Sequence, residues 1–161
     1  PTRADAVIAY YAQMLGQSGV ADEGGNIQFF PLLINNLVAM TLSLVYGLIP
    51  FLRLPALTLG TNGAILGLFA GYYMRQNISL LKYLLGILPH GIFELTALIL
   101  SAAMGLYLCS TVTNALRKKQ TGVLRPALHR CCQILYLWVL PLLFMAALVE
   151  TYITPILFNL V

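Results

Sequence analysis

Four long stretches of this chain are free of charge or nearly so: residues 24–52, 54–74, 83–116 and 131–161. Each reaches the roughly 20 residues that a helix needs to cross the hydrocarbon core of a bilayer. No water satisfies backbone N–H and C=O groups there, so a spanning segment closes its own hydrogen bonds as a helix or joins a closed barrel. Barrel strands alternate in polarity along their length, and these windows do not. Composition agrees, with 60% of residues hydrophobic and 9% charged, against about a quarter charged in soluble domains. Mean hydropathy is +0.85. The expectation is an all-α, polytopic transmembrane helix bundle: one domain over residues 1–161 with four spanning helices.

The formal net charge is +4, and its placement says more than its sum. Arg117, Lys118, Lys119, Arg125 and Arg130 fall between the third and fourth windows. Short basic loops stay on the cytoplasmic side, which puts this loop inside and the N-terminus, the second connection and the C-terminus outside. Arg75 and Lys82 run against that assignment. No folded basic domain accompanies the loop, so it reads as a topology signal touching anionic lipid rather than as a nucleic-acid surface. Cys109, Cys131 and Cys132 all map to the inner side, where thiols stay reduced, so no disulfide framework is expected.

Prolines, glycines and polar clusters punctuate the windows. Residues 3–16 read as a short amphipathic interfacial helix, with Val7, Ile8, Tyr11, Met14 and Leu15 on its apolar side. A polar outer loop follows to residue 28. Segment one covers 29–48, and Pro50 and Pro55 bracket a turn carrying Arg53. Segment two covers about 57–74. Residues 78–88 form an apolar lead-in, and Pro89, suited to a first helical turn, opens segment three over 89–110. A basic connection, interrupted by Gly122 and Pro126, occupies 111–130. Segment four then runs over 131–157, with kinks expected at Pro141 and Pro155. The chain begins with proline and shows no signal peptide, and an outside N-terminus points to a spanning segment upstream.

Small residues at four-residue spacing let membrane helices approach closely. Gly63, Gly67 and Gly71 make a doubled GxxxG pattern in segment two, a face able to form a homodimer. The other segments repeat the device with polar residues added at steps of three and four, hence on one helical face. Segment one has Asn36, Ala39, Ser43 and Gly47; segment three has His90, Glu94, Ala97, Ser101 and Gly105; segment four has Leu143, Ala147, Glu150 and Thr154. At about 1.5 Å per residue, Asn36, Glu94 and Glu150 lie at similar depth below the outer surface. One polar cluster of Asn36, His90, Glu94 and Glu150 is expected in the outer half of the bundle, with Asn35 beside it and Asn62 apart.

Three chemistries fit such a cluster. His90 and Glu94, at i and i+4, reach one ion and Glu150 completes three protein ligands, a donor set suited to zinc, iron or manganese. Two close carboxylates alternatively share and relay a proton. The third reading is a hydrogen-bond network that holds the helices in register. Catalysis is not expected: GxSxG and HExxH are absent, His129 lies in the basic connection, and Ser101 and Thr96 have no base in a triad arrangement.

Several of these pieces together resemble the stage II sporulation protein M (SpoIIM) family. They are the Asn35–Asn36 pair, the GTNG of residues 60–63, the LPHGIFEL block of 88–95 and the late ETYITP of 150–155. Thr96 stands where many members have proline. The resemblance implies a multi-pass plasma-membrane protein with a further helix upstream. In spore formers it implies a scaffold for cell-envelope partners, the peptidoglycan hydrolases of forespore engulfment. Members occur widely in organisms that do not sporulate, so that role does not by itself account for the polar cluster.

Overall fold

The computed structural model describes residues 6, 7, 9, 10, 13, 14, 17–22, 24 and 26–159, the last two by backbone alone. Four helices organise it: α1 (Phe29–Tyr46), α2 (Leu54–Arg75), α3 (Leu80–Lys118) and α4 (Leu124–Leu157). All four are long and apolar enough to cross a membrane, which bears out the all-α expectation. Of the expected interfacial helix, residues 3–5, 8, 11, 12, 15 and 16 lie outside the described set; Ala6, Val7, Ala9, Tyr10, Gln13 and Met14 are helical.

Asp22 shapes the loop leading into α1. Its Oδ1 accepts the N–H groups of Asn26 (2.8 Å) and Gly24 (2.9 Å), and its Oδ2 accepts from the Gln28 side chain. The Asn26 N–H leads these bonds in holding the carboxyl below its ordinary value of 3.8. An isolated antiparallel bridge between Ala21 and Ile27 closes the same loop.

α3 is the central helix and packs against α1, α2 and α4. The main core lies around it, built from Met40 and Leu44 of α1, Ala97, Leu98, Met104 and Leu108 of α3, and Cys131, Val139 and Leu143 of α4. Lipid chains are as apolar as these side chains, so close fit rather than water exclusion holds such helices together. The fit is tightest at Gly47 and Gly105. A methyl on Gly105 would lie 2.6 Å from both the Ser43 carbonyl oxygen and Pro55 Cγ, and one on Gly47 would overlap the Gly105 carbonyl. Ser43 and Ser101 are fully buried, and their hydroxyls have no hydrogen-bond partner among the described residues, so their small size explains their presence better than their polarity.

The glycines of α2 behave differently. Gly63, Gly67 and Gly71 are exposed, and a methyl on any of them meets no atom of the described chain. Among the described residues, the doubled GxxxG face therefore packs against nothing. Asn62 turns back on its own helix, its side-chain amide donating to the Thr58 carbonyl at 2.8 Å.

Proline positions correct three expected boundaries. Pro89 does not open a helix: α3 runs unbroken for 39 residues with Pro89 inside it, capped by Ser79, whose hydroxyl accepts the Lys82 N–H. The apolar lead-in is the start of α3, because breaking a helix in hydrocarbon would orphan more backbone groups than the one donor a proline lacks. At about 1.5 Å per residue α3 is about 58 Å long, well beyond the hydrocarbon thickness. The basic connection is divided likewise: its first part belongs to α3, and Lys119 (φ 51°) and Gly122 (φ 81°) make the turn. Leu124 then starts α4, with Pro126 in the first turn, where N–H groups have no helical partner anyway.

Pro141 and Pro155 stay inside α4, each preceded by a π-helical turn: Leu135–Val139 and Val149–Ile153. A proline ring collides with the carbonyl four residues back, here Leu137 and Thr151, and both carbonyls fall within those wider turns. The expected kinks take this form. Glu150 is part of the second π turn.

Candidate intramembrane metal centre

α3 and α4 bring three ionisable side chains together. His90 and Glu94 stand one turn apart on α3, and Glu150 faces them from the π turn of α4. One ligand atom from each lies within 4.8 Å of the others, and all three residues are half-buried. With α3 starting at Leu80, His90 and Glu94 occupy its third and fourth turns rather than a first one. π turns recur at functional sites because the extra residue redirects a side chain, and this one redirects the helix at Glu150.

Thr154 completes the arrangement. Its Oγ1 lies 3.3 Å from His90 Nδ1, which leaves Nε2 as the nitrogen open to a ligand. Metal-bound histidines ordinarily have their second nitrogen engaged in this way, which fixes the ring's tautomer and orientation. Thr154 shares the sequence stripe of Glu150, and its bond to His90 is a tertiary fact that the stripe does not encode.

Beside the cluster lies a cavity of about 470 Å³ where α2 and α4 leave a gap. His90, Glu150 and Thr154 form one side, and Phe69, Tyr73 and Tyr83 an aromatic wall. Tyr83 fixes that wall by donating its hydroxyl to the Leu66 carbonyl at 2.6 Å. The aromatic wall went unread in the sequence; the signal was Tyr73 and Tyr83 flanking the connection between α2 and α3.

The two asparagines part company. Asn36 is buried on α1, the helix packed on α3 and α4, yet it makes no hydrogen bond to His90, Glu94 or Glu150 among the described residues. Asn35, about 100° around the same helix, is exposed on an outward depression with Phe30, Ile34 and Val38. Of the small residues on α3, Ala97, Ser101 and Gly105 are all buried.

Four apolar helices of spanning length, three of them sharing a core, with ionisable side chains between α3 and α4, define an α-helical membrane protein. The family model for Stage II sporulation protein M matches residues 4–155, and the chain belongs to the SpoIIM family. An uncharacterized protein of Methanocaldococcus jannaschii is 34% identical over 131 residues, covering 81% of this chain and 74% of that protein. No solved structure matches the chain.

Proposed function

We propose that this SpoIIM-family protein is a non-enzymatic, metal-handling protein of the plasma membrane that holds a divalent cation at His90, Glu94 and Glu150. The convergence of three donor atoms from two helices within 4.8 Å carries this reading. Unneutralised charge is costly at this depth, and a cation removes that cost for two carboxylates at once. An imidazole with two carboxylates suits zinc, iron or manganese. Bonds of about 2.0–2.2 Å require the three donor atoms, now within 4.8 Å of one another, to draw inward around the ion. Three protein ligands leave a coordination position, and the cavity beside His90 and Glu150 offers the cation a route to it.

Elemental analysis of detergent-purified protein tests the reading. Wild type is expected to carry about one equivalent of metal, and His90→Ala and Glu94→Gln to carry little. Equal metal content in all three sinks it. Metal-free wild type whose proton flux in proteoliposomes is lost in Glu150→Gln supports proton relay instead.

A second reading rests on α2. Its open Gly63–Gly67–Gly71 face is the kind of surface on which another helix packs, from a second copy or from a cell-envelope partner. Together with the family, it supports a membrane scaffold, for which peptidoglycan hydrolases are the partners in spore formers. Unchanged assembly and partner pull-down in Gly67→Leu would exclude it.

A further inference from the structure

The described carboxylates all lie toward one end of the bundle: Asp22 in the loop before α1, and Glu94 and Glu150 in the metal centre. The other end carries Arg53, Arg117, Lys118, Lys119, Arg125 and Arg130 with no carboxylate beside them among the described residues. Their counter-charge must therefore come from outside the described chain. At two of these residues the fold builds a place for it.

The turn between α1 and α2 folds onto the end of α3. The Phe51 N–H donates to Thr113 Oγ1 at 3.1 Å, and Cys109 Sγ donates to the Ile49 carbonyl at 3.4 Å. The Arg117 guanidinium sits 5.5 Å from the centre of the Phe51 ring, within cation–π range. Phe51 (φ 69°) and Arg53 (φ 45°) both adopt left-handed backbone, a conformation costly for side chains other than glycine and held here by those contacts. Between turn and helix lies a cavity of about 360 Å³, lined by Arg53, Arg117, Ser110, Thr113 and Asn114.

Two guanidinium forks, two hydroxyls and an amide, with no acidic side chain among the lining residues, make a donor-rich site for a multi-oxygen anion. Arginine matches phosphate oxygens two at a time. Arg53 immediately precedes α2 and Arg117 is in the last turn of α3, so the site lies where helix ends meet the headgroup layer. Phe51 and Leu52 are 57% and 62% exposed beside it, an apolar flank suited to acyl chains. Basic pockets between membrane helices favour anionic headgroups in this way. We propose that this pocket binds the phosphate headgroup of an anionic phospholipid from the leaflet that the basic end faces.

The test is lipid retention, counted by native mass spectrometry after purification from mixed micelles of phosphatidylglycerol and phosphatidylcholine. Wild type is expected to retain one phosphatidylglycerol per chain, to discriminate against phosphatidylcholine, and to resist displacement by millimolar inorganic phosphate. Arg53→Gln and Arg117→Gln should each weaken retention by about tenfold, the scale of a lost charged hydrogen bond. Lys118→Gln removes the same charge outside the pocket and should leave retention unchanged. Should an arginine variant fail to fold, Asn114→Leu keeps both arginines, replaces the pocket's amide with an apolar side chain and is expected to weaken lipid retention. The proposal is overturned if Lys118→Gln matches Arg117→Gln, if phosphatidylcholine is retained equally, if inorganic phosphate binds where the lipid does not, or if Asn114→Leu retains phosphatidylglycerol as wild type does.

Discussion

His90 Nδ1 and Thr154 Oγ1 lie 3.3 Å apart across the seam between α3 and α4. The bond ties a residue one turn above Glu94 to a residue one turn beyond Glu150. The imidazole is thereby oriented by the same helix that carries Glu150, the third candidate ligand.

Thr154→Val keeps the side-chain shape and removes that bond. Metal affinity, measured by competition with a chromophoric chelator, is expected to fall by about 10–100-fold, the usual effect of losing an outer-shell partner. Thr154→Ser, which keeps the hydroxyl, should retain most of the affinity. A Thr154→Val protein with wild-type affinity would show that the hydroxyl does not orient the ring for metal.

Pro155 holds Thr151 out of α-helical hydrogen bonding and keeps Glu150 in a π turn. Pro155→Ala should let that turn tighten, raising the thermal midpoint in detergent while lowering metal content. Pro141→Ala relaxes the first π turn (Leu135–Val139) and should leave metal content as it is. Equal metal loss in both variants would mean that the π turn at Glu150 has no special role.

Glycine position decides packing cost. Gly105→Ala forces a methyl against the Ser43 carbonyl and Pro55, and overpacking of this kind costs about 1–3 kcal/mol. A clear drop in thermal midpoint is expected. Gly67→Ala, with open space around it, should leave the monomer's midpoint unchanged; a drop as large as that of Gly105→Ala contradicts the packing described here.

Asp22 supplies a pH dependence outside the membrane. Its folded-state carboxyl is held below 3.8, first by the Asn26 N–H. A depressed carboxyl stabilises the folded loop above its unfolded value and loses that contribution as pH falls through the folded one. Amide exchange at Asn26 and Gly24 should therefore stay slow near neutrality and quicken, relative to other amides, only below about pH 4. Asp22→Ala should lose that protection, relative to other amides, at every pH.

Thiol accessibility separates the cysteines. Cys109 and Cys131 are buried and Cys132 is exposed. A maleimide is expected to label Cys132 alone in the folded protein. A membrane-impermeant reagent reaching it only from the cytoplasmic side would support the inside placement of the basic loop.

Much of this protein was determined along the chain. Charge-poor windows of spanning length dictate helices because the bilayer offers backbone groups no other partner. Helical periodicity was enough to put His90, Glu94 and Glu150 on inward stripes, because residues three and four apart share a face whatever surrounds them. Other features depend on what stands opposite, and periodicity is silent about that. Pro89 reads as a helix start in isolation, yet lies inside α3 because hydrocarbon penalises a break more than a missing donor. Gly105 and Gly67 sit in similar small-residue patterns, but among the described residues only Gly105 of the two has a neighbouring helix against it. Asn35 and Asn36 are adjacent in the chain, and helix rotation alone exposes one and buries the other. The bond from Thr154 to His90 and the arginine pocket between Arg53 and Arg117 join residues distant in sequence. They exist only once the helices have packed, since separation in space, not along the chain, sets which side chains meet.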